Sequence, residues 1–234
     1  MIQANCRAQF TADDFSFVVR VLARSRGDAV SLVSLLSDEA ERDAILDHEL
    51  VYQSLVDEAG CLKVSAAFYF YILTRRVLRR VSLDERALTD YVAAVLLAFS
   101  RTSQLAAPGL APQPTARSFV YVSDLLTQLT TSTPEQAYLL HSHLGNYTLF
   151  LSGLFADRVA SNAQLRGAPN LGFYEAVGQA SYRHVARHPQ SRNADLRLIF
   201  EQLADEFRRV RLALNDLADT LFHLHIPASP ILPP

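Results

Sequence analysis

Apolar residues that recur every three or four positions restrict this chain to helix. The clearest run is Leu196, Ile199, Leu203, Phe207, Val210, Leu214, Leu217 and Leu221, with steps of 3, 4, 4, 3, 4, 3 and 4. Residues so spaced share one helical face, whereas a half-buried strand would alternate with period two. The run is nearly a heptad seam, and Glu201, Arg208, Arg209 and Asp216 lie off it. It predicts one C-terminal helix of about 45 Å at a rise of ~1.5 Å per residue. The seam could pack inside the monomer, the default, or against a second copy.

The same period runs through the rest of the chain. Thr11 before Asp13 and Asp14 reads as an N-cap with acids in the first turn. That helix is expected to reach Ser25, burying Phe15, Val18, Val19 and Leu22, and to break at Gly27. Ser37 or Asp38 opens a segment carrying Ile45, Leu46, Leu50 and Leu55 that stops at Gly60. Residues 63–81 are apolar on most sides, through Val64, Phe68, Phe70, Ile72 and Leu73. That pattern suits a central helix or a buried strand, and its length favours helix.

Ser82-Leu83-Asp84-Glu85 matches a capping box ahead of Leu88, Val92, Val95 and Phe99. A helix over about 117–130 precedes Thr133-Pro134-Glu135, where a cap, a proline and an acid start the next one. It runs through Tyr138, Leu139, His141 and Leu144 toward Phe155. Gly167, Pro169 and Gly172 mark a turn, and a helix over 173–187 ends at His188-Pro189. The expected fold is all-α: a single-domain bundle over residues 1–225 with about eight to ten helices. Pro108, Gly109, Pro112 and Pro114 make 102–116 an internal loop, and four prolines make 226–234 an extended tail.

Composition removes several functions. Lys and Arg total 22 against 24 Asp and Glu, a net charge of −2, so nothing in bulk draws the chain to nucleic acid or an anionic membrane. Lys63 is the one lysine, which leaves 22 − 1 = 21 arginines; the skew suits either an Arg-rich surface or a codon preference. Cys6 and Cys61 form no Cys-x-x-Cys, which fits a reducing compartment. The opening residues hold no apolar core of signal-peptide length. The longest apolar run, Tyr91 to Phe99, falls far short of the roughly 20 residues a membrane helix needs. The expectation is a soluble cytoplasmic protein, in which the Asn146-Tyr147-Thr148 triplet carries no glycan.

The stretch His143-Leu144-Gly145-Asn146-Tyr147-Thr148-Leu149-Phe150-Leu151-Ser152-Gly153-Leu154-Phe155 resembles the central signature of a widespread group of bacterial all-helical proteins of unknown function. Phe70-Tyr71-Ile72-Leu73 with Arg75, leading to Asp90-Tyr91-Val92-Ala93, is similar to the same group. So is Phe173-Tyr174 with Gly178 and Tyr182. The likeness spans residues 65–220. The group often reads Pro after the Leu-Phe pair, where this chain has Ala156. The resemblance implies the fold and no mechanism.

Candidate sites follow from local pattern. Gly145 and Gly153 share a face, as do Tyr174, Gly178 and Tyr182. Each helical glycine costs roughly 1 kcal/mol, so either close helix packing or a ligand at the backbone must offset it. Polar and aromatic groups gather beside these glycines, which makes His141, His143, Asn146, Tyr147, Tyr174 and Tyr182 the ligand or interaction candidates. Arg75, Arg76, Arg79 and Arg80 form a basic turn, either an anion site or a set of partners for carboxylates such as Asp84 and Glu85. Histidines come in three near pairs: His141/His143, His184/His188 and His223/His225. Only His184 and His188, at i and i+4, suit a metal from one helix, and no Glu completes a His-Glu-x-x-His motif. No phosphate-loop, dinucleotide or nucleophile-elbow motif occurs, and no cofactor is implied. The leading expectation is a non-catalytic binding or protein-interaction module, with a homodimer, another protein or a small ligand as its partner. The alternative is a helical-bundle enzyme or cofactor carrier with a polar pocket between helices 134–155 and 173–187.

Overall fold

The computed structural model describes residues 2–57, 64–100, 118–189, 191 and 194–223. The internal loop at 102–116, the tail at 226–234, Gly60, Cys61 and His225 lie outside the described residues. Those described form twelve α-helices and no strand, two helices more than the upper end of the expected range.

Side-chain caps set most of the starts. Thr11 Oγ accepts the Asp14 N–H and Asp14 Oδ2 accepts the Thr11 N–H, the capping box that opens α1 (Ala12–Leu22). The same buried carboxylate accepts the Ser65 N–H at 2.6 Å and the Ser65 hydroxyl at 2.7 Å. Ser65 in turn caps α5 (Ala66–Arg80), so one aspartate ties two helix starts together.

Three expected boundaries move. Gly27 does not end the first helix; it sits inside α2 (Arg26–Leu35), because Ser25 accepts the Asp28 N–H and starts a new helix just before it. The segment after Asp38 is two helices, α3 (Glu39–Leu46) and α4 (Glu49–Val56). His48 Nδ1 caps the second, and Asp47, at the break, turns its carboxylate to Arg75 and Arg86. Ser82 starts no capping box. It has φ +59° and closes α5, with the Ser82 N–H on Arg79 O and the Leu83 N–H on Leu78 O, both at 3.0 Å. That is a Schellman ending, usually built on glycine.

An L-residue in the left-handed region costs roughly 1–2 kcal/mol, and Ser82 is exposed. Ser82→Gly is therefore expected to raise stability by about 1 kcal/mol, part of the relief being spent on the freer unfolded chain. Urea unfolding measures it, and a loss of stability would show that the serine hydroxyl matters more than the backbone.

Next come α6 (Arg86–Ser100), α7 (Ser118–Leu129) and α8 (Pro134–Leu154), the last opened by a Thr133–Gln136 capping box with Pro134 at its first turn. They are followed by α9 (Ala156–Arg166), α10 (Leu171–Arg187), α11 (Ala194–Asp205) and α12 (Phe207–His223). The single long C-terminal helix is thus corrected: it bends at Glu206. α11 packs on α10 and α6, whereas α12 packs on α8 and α5. At the bend Phe207 drives its fully buried ring toward Tyr182, with centroids 6.1 Å apart. The seam itself faces inward, because Leu203, Phe207, Val210, Leu214 and Leu217 have no exposed surface.

Two apolar clusters meet on α5 and α6. One holds Leu73, Val77 and Leu78 with α8, α10, α11 and α12. The other holds Phe68, Tyr71 and Ile72 with Phe17, Val18, Leu46, Val51 and Leu55. α5 is apolar on most sides because it borders both.

Candidate functional site

α8, α10 and α12 pack closely, and the glycines of α8 and α10 are the reason. A Cβ on Gly145 would stand 2.8 Å from the Tyr182 ring, one on Gly153 2.9 Å from Leu214 Cβ, and one on Gly178 2.2 Å from Phe207. Two hydroxyls buried along this contact, Thr148 and Ser152, are satisfied within α8. Thr148 Oγ donates to Leu144 O at 2.7 Å and Ser152 Oγ to Thr148 O at 2.6 Å. Asn146 Oδ1 accepts two phenol hydroxyls, Tyr91 from α6 and Tyr182 from α10, each at 2.9 Å. Both tyrosines are 0% exposed and Asn146 is 2% exposed. Burial raises both phenol pKa values, so both remain donors at any ordinary pH. A side chain with no accessible surface borders no space that a water can enter. The triad therefore joins three helices instead of lining a pocket. Tyr174 is also buried, and Tyr147 packs edge-on to Tyr121 at 5.0 Å.

The two histidines of α8 point apart. His143 faces α7, with Nε2 2.9 Å from the Tyr121 hydroxyl, and burial holds its pKa down at about 4. His141 faces α10, where its ring stacks on His184 at 4.0 Å and Nδ1 lies 3.4 Å from Ser181 Oγ. Burial, then the nearby His184 and His188, lower its pKa to about 4. His184 and His188 share a face with rings 6.0 Å apart, and His188 lies against Tyr138. Among the described residues no group of three or more His, Cys, Asp or Glu is arranged to hold a metal ion.

The basic turn of α5 meets carboxylates. Arg75 grips Asp47 through Nε at 2.9 Å and Nη2 at 3.1 Å, and donates to Asp84 O at 2.7 Å and to the Asp84 carboxylate. Arg76 pairs with Glu49 at 2.5 Å, and Arg79 lies 3.5 Å from both Asp47 and Asp84. Arg80 is exposed. Burial would raise the Asp47 carboxyl, but the Arg75 hydrogen bond and the charges of Arg75, Arg86 and Arg79 hold it below the usual range. Arg86 and Arg7 extend the network through Asp43, at 3.1 and 2.7 Å. Sequence reasoning missed Arg7, Asp43, Asp47 and Arg86, which come from separate segments with no shared motif.

Accessible features lie elsewhere. A cleft of about 660 Å³ opens between the N-terminal segment, α3, α6 and α11. An apolar groove of about 520 Å³ lies between α1 and α2, lined by Phe15, Val19, Val33 and Leu36. α2 beside it exposes Val30 (69%), Val33 (57%) and Leu35 (42%). No helix among the described residues is long and apolar enough to cross a membrane. No family model, curated protein or solved structure matches the chain.

Proposed function

We propose that the protein is a non-catalytic interaction module that pairs with a second copy of itself through α2. One observation carries this reading: α2 buries none of its ten residues, yet carries Val30, Leu32, Val33 and Leu35. A helix this short does not persist in water by propensity; it needs tertiary packing on its apolar face. Here α1 supplies only part of that packing.

Charge favours a second copy over an unrelated partner. Arg24 and Arg26 stand exposed at the start of α2, and Asp38 and Glu41 stand exposed just beyond its end. Two copies laid antiparallel about a twofold axis place the basic end of each beside the acidic end of the other. Val30 and Val33 then meet at the centre, with the α1–α2 groove alongside. The enzyme or cofactor-carrier alternative draws no support from Asn146, Tyr174 and Tyr182, which are at most 2% exposed.

Sedimentation velocity over a concentration series is expected to show a monomer–dimer equilibrium. Val30→Glu is expected to abolish the dimer while leaving a folded helical monomer whose melting temperature no longer depends on concentration. Arg26→Glu is expected to weaken the dimer, most at low salt. A strict monomer at every concentration, or a dimer indifferent to Val30→Glu, would refute the reading.

A further inference from the structure

The 660 Å³ cleft falls within the range of about 300–1,000 Å³ typical of small-molecule sites. Its charged lining is Arg7, Arg42 and Arg86 against Glu39, Asp90 and Asp195, three of each sign. The lining is neutral in sum but not paired throughout. Arg7 Nη2 is held by Asp43 at 2.7 Å and lies 3.5 Å from Glu39. Arg86 is held by Asp43 and by Asp47 at 2.9 Å. Arg42, half-buried on α3, has no ion pair among the described residues. Asp90 on α6 is 7% exposed. Its Oδ1 accepts the Arg7 backbone N–H at 2.7 Å, and no guanidinium lies within ion-pair distance of it among the described residues.

A buried carboxylate without a cation is costly, and it persists where something compensates it. Burial also pushes the Asp90 carboxyl up, against the opposing Arg7 N–H, the Arg7 charge and the Cys6 N–H. Among the described residues, the cleft therefore presents Arg42, which no carboxylate pairs, and Asp90, which backbone N–H groups hold but no guanidinium pairs, beside an apolar lining. Phe10, Phe15 and Ile199 supply that lining. A net anion would meet Asp90, and a net cation would meet Arg42. A molecule carrying both charges meets neither penalty.

We propose that this cleft binds a small zwitterion with an apolar body, a free amino acid in chemical class, with its carboxylate on Arg42 and its ammonium on Asp90. The site lies apart from the α2 helix itself and shares only Phe15 with the groove beside it.

Isothermal titration calorimetry with free L-leucine and L-phenylalanine tests it on the full chain. At least one is expected to bind saturably at one site per chain. Its N-acetyl derivative and its amide, which each lack one charge, are expected to bind at least about tenfold more weakly, a difference of about 1.4 kcal/mol. Arg42→Gln is expected to give the same loss for the free amino acid and no loss for the amide. Asp90→Asn is the matching variant for the ammonium. If it fails to fold, the N-acetyl comparison reads the same contact on the native chain. Absence of saturable heat for both amino acids would overturn the proposal. So would equal affinity for the N-acetyl form, or an Arg42→Gln variant that binds as the native chain does.

Discussion

Arg75→Met is expected to cost about 3 kcal/mol, the low end of what breaking a buried ion pair costs. The Arg75 side chain is 5% exposed and Asp47 is 12% exposed. Removing the guanidinium takes two of three hydrogen bonds from Asp47 and two from the Asp84 turn. Asp47 keeps Arg86 at 2.9 Å and Arg79 at 3.5 Å, so its charge is not fully stranded. That retention sets the low end of the range. For a chain of this size the melting temperature should fall by roughly 6–12 °C.

The pH dependence of the pair has a definite sign. Asp47 is depressed in the folded state, so the unfolded chain binds its proton first as pH falls. The contribution of Asp47 is complete above about pH 4, the ordinary aspartate value, and is lost as pH falls through the lower folded value. Arg75→Met should flatten that acid limb as well as lower the plateau. Urea unfolding at neutral pH and through the acid range measures both. A loss below about 1 kcal/mol with an unchanged acid limb would place the pair among weak surface bridges.

The apolar period made the fold class legible, because helical faces must be buried and the spacing records which face. Boundaries were legible where a side chain in the sequence caps its own neighbour, as Thr11 and Thr133 do. They were lost where a distant group decides. Asp47 breaks the segment after Asp38 because Arg75, 28 residues away, takes its carboxylate. The bend at Glu206 left no local trace, because the seam's steps of 3, 4, 4, 3 and 4 cover 18 residues in five turns, the period of a straight helix.

The polar residues around Gly145 were correctly grouped by sequence, since Asn146 and Tyr182 do meet. What the pattern could not carry was accessibility. A buried amide between two phenols and an amide lining a pocket read the same along the chain. The distinction depends on Tyr91, 55 residues before Asn146, whose hydroxyl fills the second lone pair. The open cleft was invisible for the same reason, because Arg42 and Asp90 lie on helices that no local spacing relates.

Gly178→Ala should destabilise the protein by about 2 kcal/mol, although alanine is the better helix former by about 1 kcal/mol. The added methyl would stand 2.2 and 2.4 Å from two Phe207 ring carbons and 2.7 Å from Thr148 Oγ1. Neither neighbour can yield cheaply. Phe207 is fully buried at the bend between α11 and α12, and Thr148 is fully buried with its hydroxyl committed to Leu144 O. Overpacking of this kind costs about 1–3 kcal/mol, and three contacts below 3 Å inside the core put it at the upper end. Subtracting the helix gain leaves the stated loss. Phe207→Leu alone opens a cavity and is also destabilising, but in the Gly178→Ala background it removes the clashing ring. The double variant is therefore expected to be more stable than the sum of the single losses by at least about 1 kcal/mol. If Gly178 instead served a ligand approaching the backbone, Gly178→Ala would keep full stability and the two changes would add.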